Sequence, residues 1–351
     1  MKKIAISVAA GLSLLSLPTL SAEVTTLSDY FDQDGIIATS ENYPTLETAR
    51  QLVKNQELVG VNKFLHKRQL TPTDEQPVVR MNRDTYYSMA VVDVSKGASV
   101  TLPEIPKGKY MSLQIVTEDH RILPMKYGSG TFELTTTKGS HVYALVRLDA
   151  SFTEEEVLTI QDQMTINANS NKEFTAEQVN KASFEQTENA LKAQMPAIFK
   201  REGASALVGM FTAPNDASKE LFTKEKYAVG AAIGWGGAQM VDNIYEVSGN
   251  YPANKCYQAT FEDPQDQAFW SVTVYNKQGF MFNDVANISS NTAERNADGT
   301  YTVSFGCGSD ALNNLETENK SNEFNLAFRH YIPSQKVKDG YRILPFVKEK
   351  Q

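Results

Sequence analysis

Cysteine is scarce in this chain, with only Cys256 and Cys307 among 351 residues. Neither belongs to a C-x-x-C pair or stands beside a histidine, so neither a redox dithiol nor a cysteine nucleophile is indicated. Histidine is nearly as rare. His66, His120, His141 and His330 form no H-x-H, H-x-x-x-H or H-E-x-x-H pattern, so no single segment can hold a metal. The run "REGASAL" lacks the G-x-S-x-G of a nucleophile elbow. "GAAIGWGGAQ" is glycine-rich but fits neither G-x-G-x-x-G nor a P-loop, and reads as close backbone packing at a helix start. Basic excess is also missing. The formal charge of -8 disfavours a phosphate-binding face, so no nucleic-acid partner is expected. No metal and no cofactor are called for.

Long apolar runs are absent except at the beginning. "MKKIAISVAAGLSLLSLPTLSA" places Lys2 and Lys3 before an apolar stretch, then Pro18 and small residues up to Ala22. That order is a secretory signal peptide cut near Ala22, and the stretch is too short to span a bilayer. A periplasmic or secreted protein is expected, with no membrane span and no lipid anchor. Two cysteines in an exported chain, each in a strand-like run, predict a disulfide between neighbouring strands.

Periodicity divides the remainder. "TLETARQLVKNQELVGVNKFLHKR" is helix-like. From Val78 to Leu148 the pattern is strand-like: Met111, Leu113 and Ile115 alternate with Tyr110, Ser112 and Gln114, "HVYALVRL" alternates likewise, and Gly128, Gly130 and Gly139 mark turns. Helical signals follow. Thr153 with Glu156 and Thr175 with Gln178 read as capping boxes, and the second should open one long helix perturbed at Pro196 and stopped near Gly203. Strands return from Tyr257. The expected plan is a leader over 1–22, a helical segment over 23–75, a β-sandwich over 76–150, a helical middle over 151–229 and a second β-sandwich over 230–351.

The motifs "TSENYPTLETA", "VVRMNRDTYYSMAVVDV", "KGKYMSLQIV", "GWGGAQ", "FWSVTVYN" and "FRHYIPSQKVKDGYRILPFV" make the chain resemble bacterial exported proteins that pair domain of unknown function 1254 with domain of unknown function 1214. The resemblance runs over essentially the whole mature chain. It implies a mainly β fold of two jelly-roll-like β-sandwich domains joined by a helical part, and no particular activity. Positions matching the recurrent ones include Asn42, Glu47, His66, Arg80, Asn82, Arg83, Asp84, Thr85, Tyr87, Trp270, Ser271, Thr273, Tyr275, Arg329 and Tyr331.

Charge inside a strand-like run singles out "VVRMNRDTYYSM". Read as extended, it sends Arg80, Asn82 and Asp84 to one face and Arg83 to the other. A carboxylate beside arginine is held ionised and leaves donors for an anionic or hydroxyl-rich ligand. The same residues can instead form a turn tied by salt bridges to the second domain. In the second sandwich, Ser271, Thr273 and Tyr275, with Arg329 and Tyr331, form a polar aromatic face opposite Trp270, Val272 and Val274, as a half-exposed sheet would.

Three readings compete. A small-molecule or glycan binder would use a groove between the sandwiches lined by Arg80, Asn82, Arg83, Asp84, Tyr86, Arg329 and Tyr331. A periplasmic hydrolase or lyase would use Asp84 or Asp119 as general base and His120 as acid. A structural β-sandwich would use its polar clusters as salt bridges and act by assembly, which a homo-oligomer would suit. The first is preferred because no catalytic constellation is complete.

Overall fold

A strand sends alternate side chains to opposite faces, and the alternation noted above becomes the first sandwich. In the structure, a computed structural model, residues 22–350 are described apart from 77, 78, 215 and 217. The expected leader lies outside the described residues except for Ala22. The N-terminal strands are Leu65–Lys67 (β1), Thr85–Asp93 (β2), Ala98–Leu102 (β3), Met111–Thr117 (β4), Lys126–Tyr127 (β5), Gly130–Glu133 (β6), His141–Asp149 (β7) and Thr165–Ala168 (β8). One antiparallel sheet runs β1-β2-β7-β4-β5 and a smaller one β8-β3-β6. Met111, Leu113 and Ile115 of β4 and Val142, Ala144 and Val146 of β7 pack toward Val100 and Leu102 of the small sheet. Helix α2 (Glu154–Gln163) closes that core with Val157 and Ile160, and the Thr153–Glu156 capping box at its start is present.

The opposite face of the large sheet is buried too. Val91, Val116, Tyr143 and Leu145 pack on α1 (Tyr43–Val59), α3 (Lys181–Lys192), α4 (Met195–Glu202) and α5 (Lys224–Gly234). All seven residues of β4 are therefore buried, including Ser112 and Gln114. A polar pair on a covered face must find its hydrogen bonds inside the protein.

The C-terminal sandwich contains Asn243–Val247 (β9), Tyr257–Phe261 (β10), Phe269–Asn276 (β11), Asn287–Ser289 (β12), Tyr301–Phe305 (β13), Asn314–Leu315 (β14), Glu323–Tyr331 (β15) and Val347–Glu349 (β16). Its sheets run β9-β15-β11-β12 and β14-β13-β10-β16. Trp270, Val272, Phe324 and Phe328 meet Phe261, Tyr301 and Phe305 between them. Cys256 and Cys307, beside the paired strands β10 and β13, form the expected disulfide. The fold is mainly β, two sandwiches joined by a helical part. No helix among the described residues is long and apolar enough to cross a membrane.

Several local expectations fail for identifiable reasons. "FLHKR" does not extend α1, because Gly60 takes a positive φ of 83° and the chain turns into edge strand β1. Thr175 caps no helix. Ala176–Glu177 and Val179–Asn180 pair instead with Glu23–Val24 and Phe31–Asp32, and α3 starts only after Asn180, whose side chain accepts from Ser183 N–H. The long helix is two helices, since the Pro196 ring would clash with the carbonyl of Lys192, where α3 ends. Thr165–Ala168, in the stretch read as helical, returns to the small sheet as its edge. "GWGG" starts at Gly234, the last residue of α5, and ends that helix rather than opening one. A Cβ on Gly237 would lie 2.2 Å from the Phe211 ring, so close packing is the reason for that glycine.

Candidate functional site

Residues 79–84 are not a strand, and Val78 lies outside the described residues. Turns precede β2, and Arg80 sits at φ 56°, so the shared face expected for Arg80, Asn82 and Asp84 does not exist. The loop instead clamps onto the C-terminal sandwich. Asp84, 1% exposed, accepts from Ser271 Oγ at 2.7 Å, Tyr331 OH at 3.0 Å and Asn287 Nδ2 at 3.0 Å. Arg329 Nη1 lies 3.7 Å from the same carboxylate and donates to Thr273 Oγ1 at 2.9 Å. Its Nη2 donates to the Arg80 carbonyl at 2.9 Å and Tyr275 OH at 2.7 Å, and Tyr275 OH donates to the Met81 carbonyl at 2.8 Å. Burial opposes the Arg329 charge, but Tyr275 and Asp84 together hold its proton above the ordinary arginine range.

The polar face of β11 and β15 is thus not half-exposed, because the N-terminal loop covers it. Ser271, Thr273 and Asn325 are all buried. Asn82 bridges backward, donating to Tyr87 OH at 2.8 Å and accepting from Asp84 N–H at 3.1 Å. Arg83 points outward, to the Thr71 carbonyl at 2.7 Å and to exposed Asp284 at 3.6 Å. Tyr86 lines no groove, since its parity on β2 places it in the core of the first sandwich.

The catalytic candidates are not brought together. Asp84 adjoins the Tyr110–Asp149 end of the large sheet, where its carbonyl accepts from Ala150 N–H. Asp119 and His120 follow the other end of β4, on the order of 20 Å away along seven residues of strand. Asp119 is held by the hydroxyls of Thr117 and Thr137. His120 is fully buried and accepts from Gly236 N–H at 3.1 Å through Nε2; burial pushes its pKa down to about 4, with Asp119 opposing. His66, bonded to Ser88 Oγ at 2.8 Å, is likewise pushed down to about 4 by burial and then by Arg68.

One residue escaped the sequence reading. Arg147 on β7 shares a face with Tyr143 and Leu145, opposite Ser112 of β4 and Tyr87 of β2. It lies inside the junction of both sandwiches and the helical layer, yet it keeps some accessible surface, as do Tyr87 and Tyr245 beside it. Its Nη1 donates to Gln114 Oε1 at 2.6 Å and its guanidinium lies 5.7 Å from the Tyr87 ring. Among the described residues no carboxylate forms an ion pair with it; Asp242 is near enough to be stabilised by its charge but accepts instead from Tyr127 OH at 2.6 Å. Burial works against the Arg147 charge, and the phenols of Tyr87, Tyr110, Tyr245 and Tyr331 outweigh it and keep the proton on. Phe269 and Tyr331 stack at 4.2 Å, and Tyr110 meets both edge-on, closing one side of the junction. The sequence signal was a lone arginine in the apolar alternation of "HVYALVRL", a strand otherwise fit for burial on both faces.

Comparison with known proteins agrees with this architecture. A family model described as Protein of unknown function (DUF1254) matches residues 61–150, and one described as Protein of unknown function (DUF1214) matches residues 246–335. The crystal structure of the VPA0106 protein from Vibrio parahaemolyticus is similar, with a TM-score of 0.63 and 16% identity over 89% of this chain and 98% of that one. An uncharacterized protein from Burkholderia cenocepacia has a TM-score of 0.55 and 14% identity over 89% of this chain and 86% of its own. No curated protein matches. At such identities the two structures establish the fold alone. The chain therefore belongs to the family whose members join an N-terminal DUF1254 domain to a C-terminal DUF1214 domain.

Proposed function

We propose that this protein is an exported binder of a small anionic molecule, including an acidic sugar, taken up at the seam where the two sandwiches meet. Arg147 receives the charge. One observation carries the reading: among the described residues, the half-buried Arg147 forms no ion pair with a carboxylate and has Gln114 as its one hydrogen-bonded side chain. Withdrawing a charge even partly from water without a counter-charge is costly, and such sites are concentrated where ligands bind. A guanidinium offers five donors in a planar fork that suits a carboxylate or phosphate, and the surrounding tyrosines add ring faces and hydroxyls. In this arrangement Asp84, Asn82, Arg329 and the Arg80 backbone hold the seam closed, and Tyr331, bonded to Asp84, links that clamp to the Arg147 side. The acidic balance of the rest of the chain lets a buried cation select small anions without attracting polyanions.

The test is thermal unfolding of the mature protein and its Arg147→Met variant with benzoate, galacturonate, phosphate and sulfate. At least one of these anions is expected to raise the midpoint of the wild type and leave that of the variant unmoved. An equal response in both proteins, or a variant that melts far lower with no anion response in either, would make Arg147 a structural residue and defeat the reading.

A further inference from the structure

We infer that His120, remote from the seam, is a positioning residue for Arg147 and acts on it through Gly236 and Gln114. Its consequence for binding rests on the anion reading above, while the coupling itself stands on geometry. Three hydrogen bonds run in series. His120 Nε2 accepts from Gly236 N–H at 3.1 Å, the Gly236 carbonyl accepts from Gln114 Nε2 at 2.6 Å, and Gln114 Oε1 accepts from Arg147 Nη1 at 2.6 Å. His120 and Gln114 are both 0% exposed, so bulk water cannot replace a lost partner at either.

The chain is directional because a glutamine amide has unlike ends. With Nε2 on the Gly236 carbonyl, Oε1 must face the guanidinium; reversed, an NH2 group would meet a cation and an oxygen would meet a carbonyl. The orientation of Gln114 therefore depends on where Gly236 holds its carbonyl. Gly236 lies in the turn after α5 at φ 68°, and without a Cβ its backbone has little inherent stiffness. His120 restrains the N–H of that same residue. Its own positive φ of 60° turns the chain after β4 and places the ring beside Trp235 and Tyr227. The "GWGG" turn, which matched no ligand motif, thereby becomes the joint through which one buried histidine fixes a binding arginine.

The first readout is the Arg147 Nε–Hε signal in nitrogen-edited NMR of the full mature protein, which needs no ligand. Gln114→Leu should displace or broaden it. His120→Leu, which removes the acceptor, and His120→Asn, which tolerates positive φ but falls short of Gly236, should do the same, and His120→Gln, whose oxygen can reach Gly236, should restore it. A folded His120→Asn protein with an unmoved Arg147 signal, where Gln114→Leu moves it, overturns the coupling. The second readout is binding of benzoate or galacturonate, expected to weaken about 5- to 30-fold in His120→Asn and to show no further loss when Gln114→Leu is added. Failure of benzoate, galacturonate, phosphate and sulfate alike to bind while the signal still responds to His120 would remove the anion reading and leave the positioning role in place.

Discussion

Arg329 and Arg147 reach the same junction from facing sheets, and they are used in opposite ways. Arg329 has four oxygen partners within the protein, Asp84, Thr273, Tyr275 and the Arg80 carbonyl, and holds two domains together. Among the described residues Arg147 has one side-chain hydrogen bond and aromatic neighbours. A buried charge with its donors satisfied is architecture, and a half-buried one with donors to spare is available to a ligand. Residue type alone does not separate the two cases; the count of partners does.

The strongest way to break the comparison is to remove the clamp. Asp84→Ala strands Arg329 and should cost about 3 to 5 kcal/mol in denaturant unfolding, as expected for one half of a buried pair. A loss below about 1 kcal/mol would mean that the loop contributes little. Replacing Cys256 and Cys307 by serine tests the covalent share of the C-terminal sandwich. Opening a bridge with sequence separation 51 should cost up to about 4 kcal/mol, read as a lower chemical-denaturation midpoint under non-reducing conditions.

A third buried cation gives a pH-dependent effect. His330 bonds Asp266 at 2.7 Å and Glu246 at 2.9 Å, and Glu246 also accepts from the N–H groups of Ile343 and Leu344. Burial disfavours the charged ring, but the bonds to Asp266 and Glu246 prevail and raise its pKa. Its stabilisation is therefore complete below the unfolded value of about 6.5 and declines as pH rises through the higher folded value. Unfolding measured upward from pH 6.5 should show this decline, and His330→Gln should flatten it. His120 and His66, pushed down to about 4, act in the opposite sense: stability falls as pH drops from about 6.5 toward 4. The smallest effect sharpens the comparison most. Arg147→Met, without ligand, should cost less than about 2 kcal/mol, because replacing a half-buried charge by an apolar chain offsets part of the cost of leaving Gln114 Oε1 without its donor. A loss as large as that of Asp84→Ala would put the two arginines in one class.

Much of the local structure was legible. The alternation of Met111, Leu113 and Ile115 gave β4 its core face, and Thr153 with Glu156 gave α2 its start, because both depend on residues a few positions apart. Asp84 and Arg329 were both recognised as important, yet their contact across 245 positions was not readable as a pair. Thr175 shows the limit in reverse: a good local capping sequence lost to pairing of Ala176–Glu177 with Glu23–Val24. Arg147 was passed over because its strand pattern says nothing about what covers each face.

By itself the sequence determined the mainly β class, the two sandwiches with helices between them, and the pairing of two cysteines that had no other partner. These follow from periodicity, capping chemistry and composition, which act over a few residues or over the whole chain. Only the tertiary structure decided that Asp84 is fully satisfied, that Asp119 and His120 lie at the far end of the sheet from it, and that Arg147 is left with donors to spare. Whether a buried polar group is spent or available depends on atoms brought within about 3 Å by distant segments, and no local pattern encodes that distance.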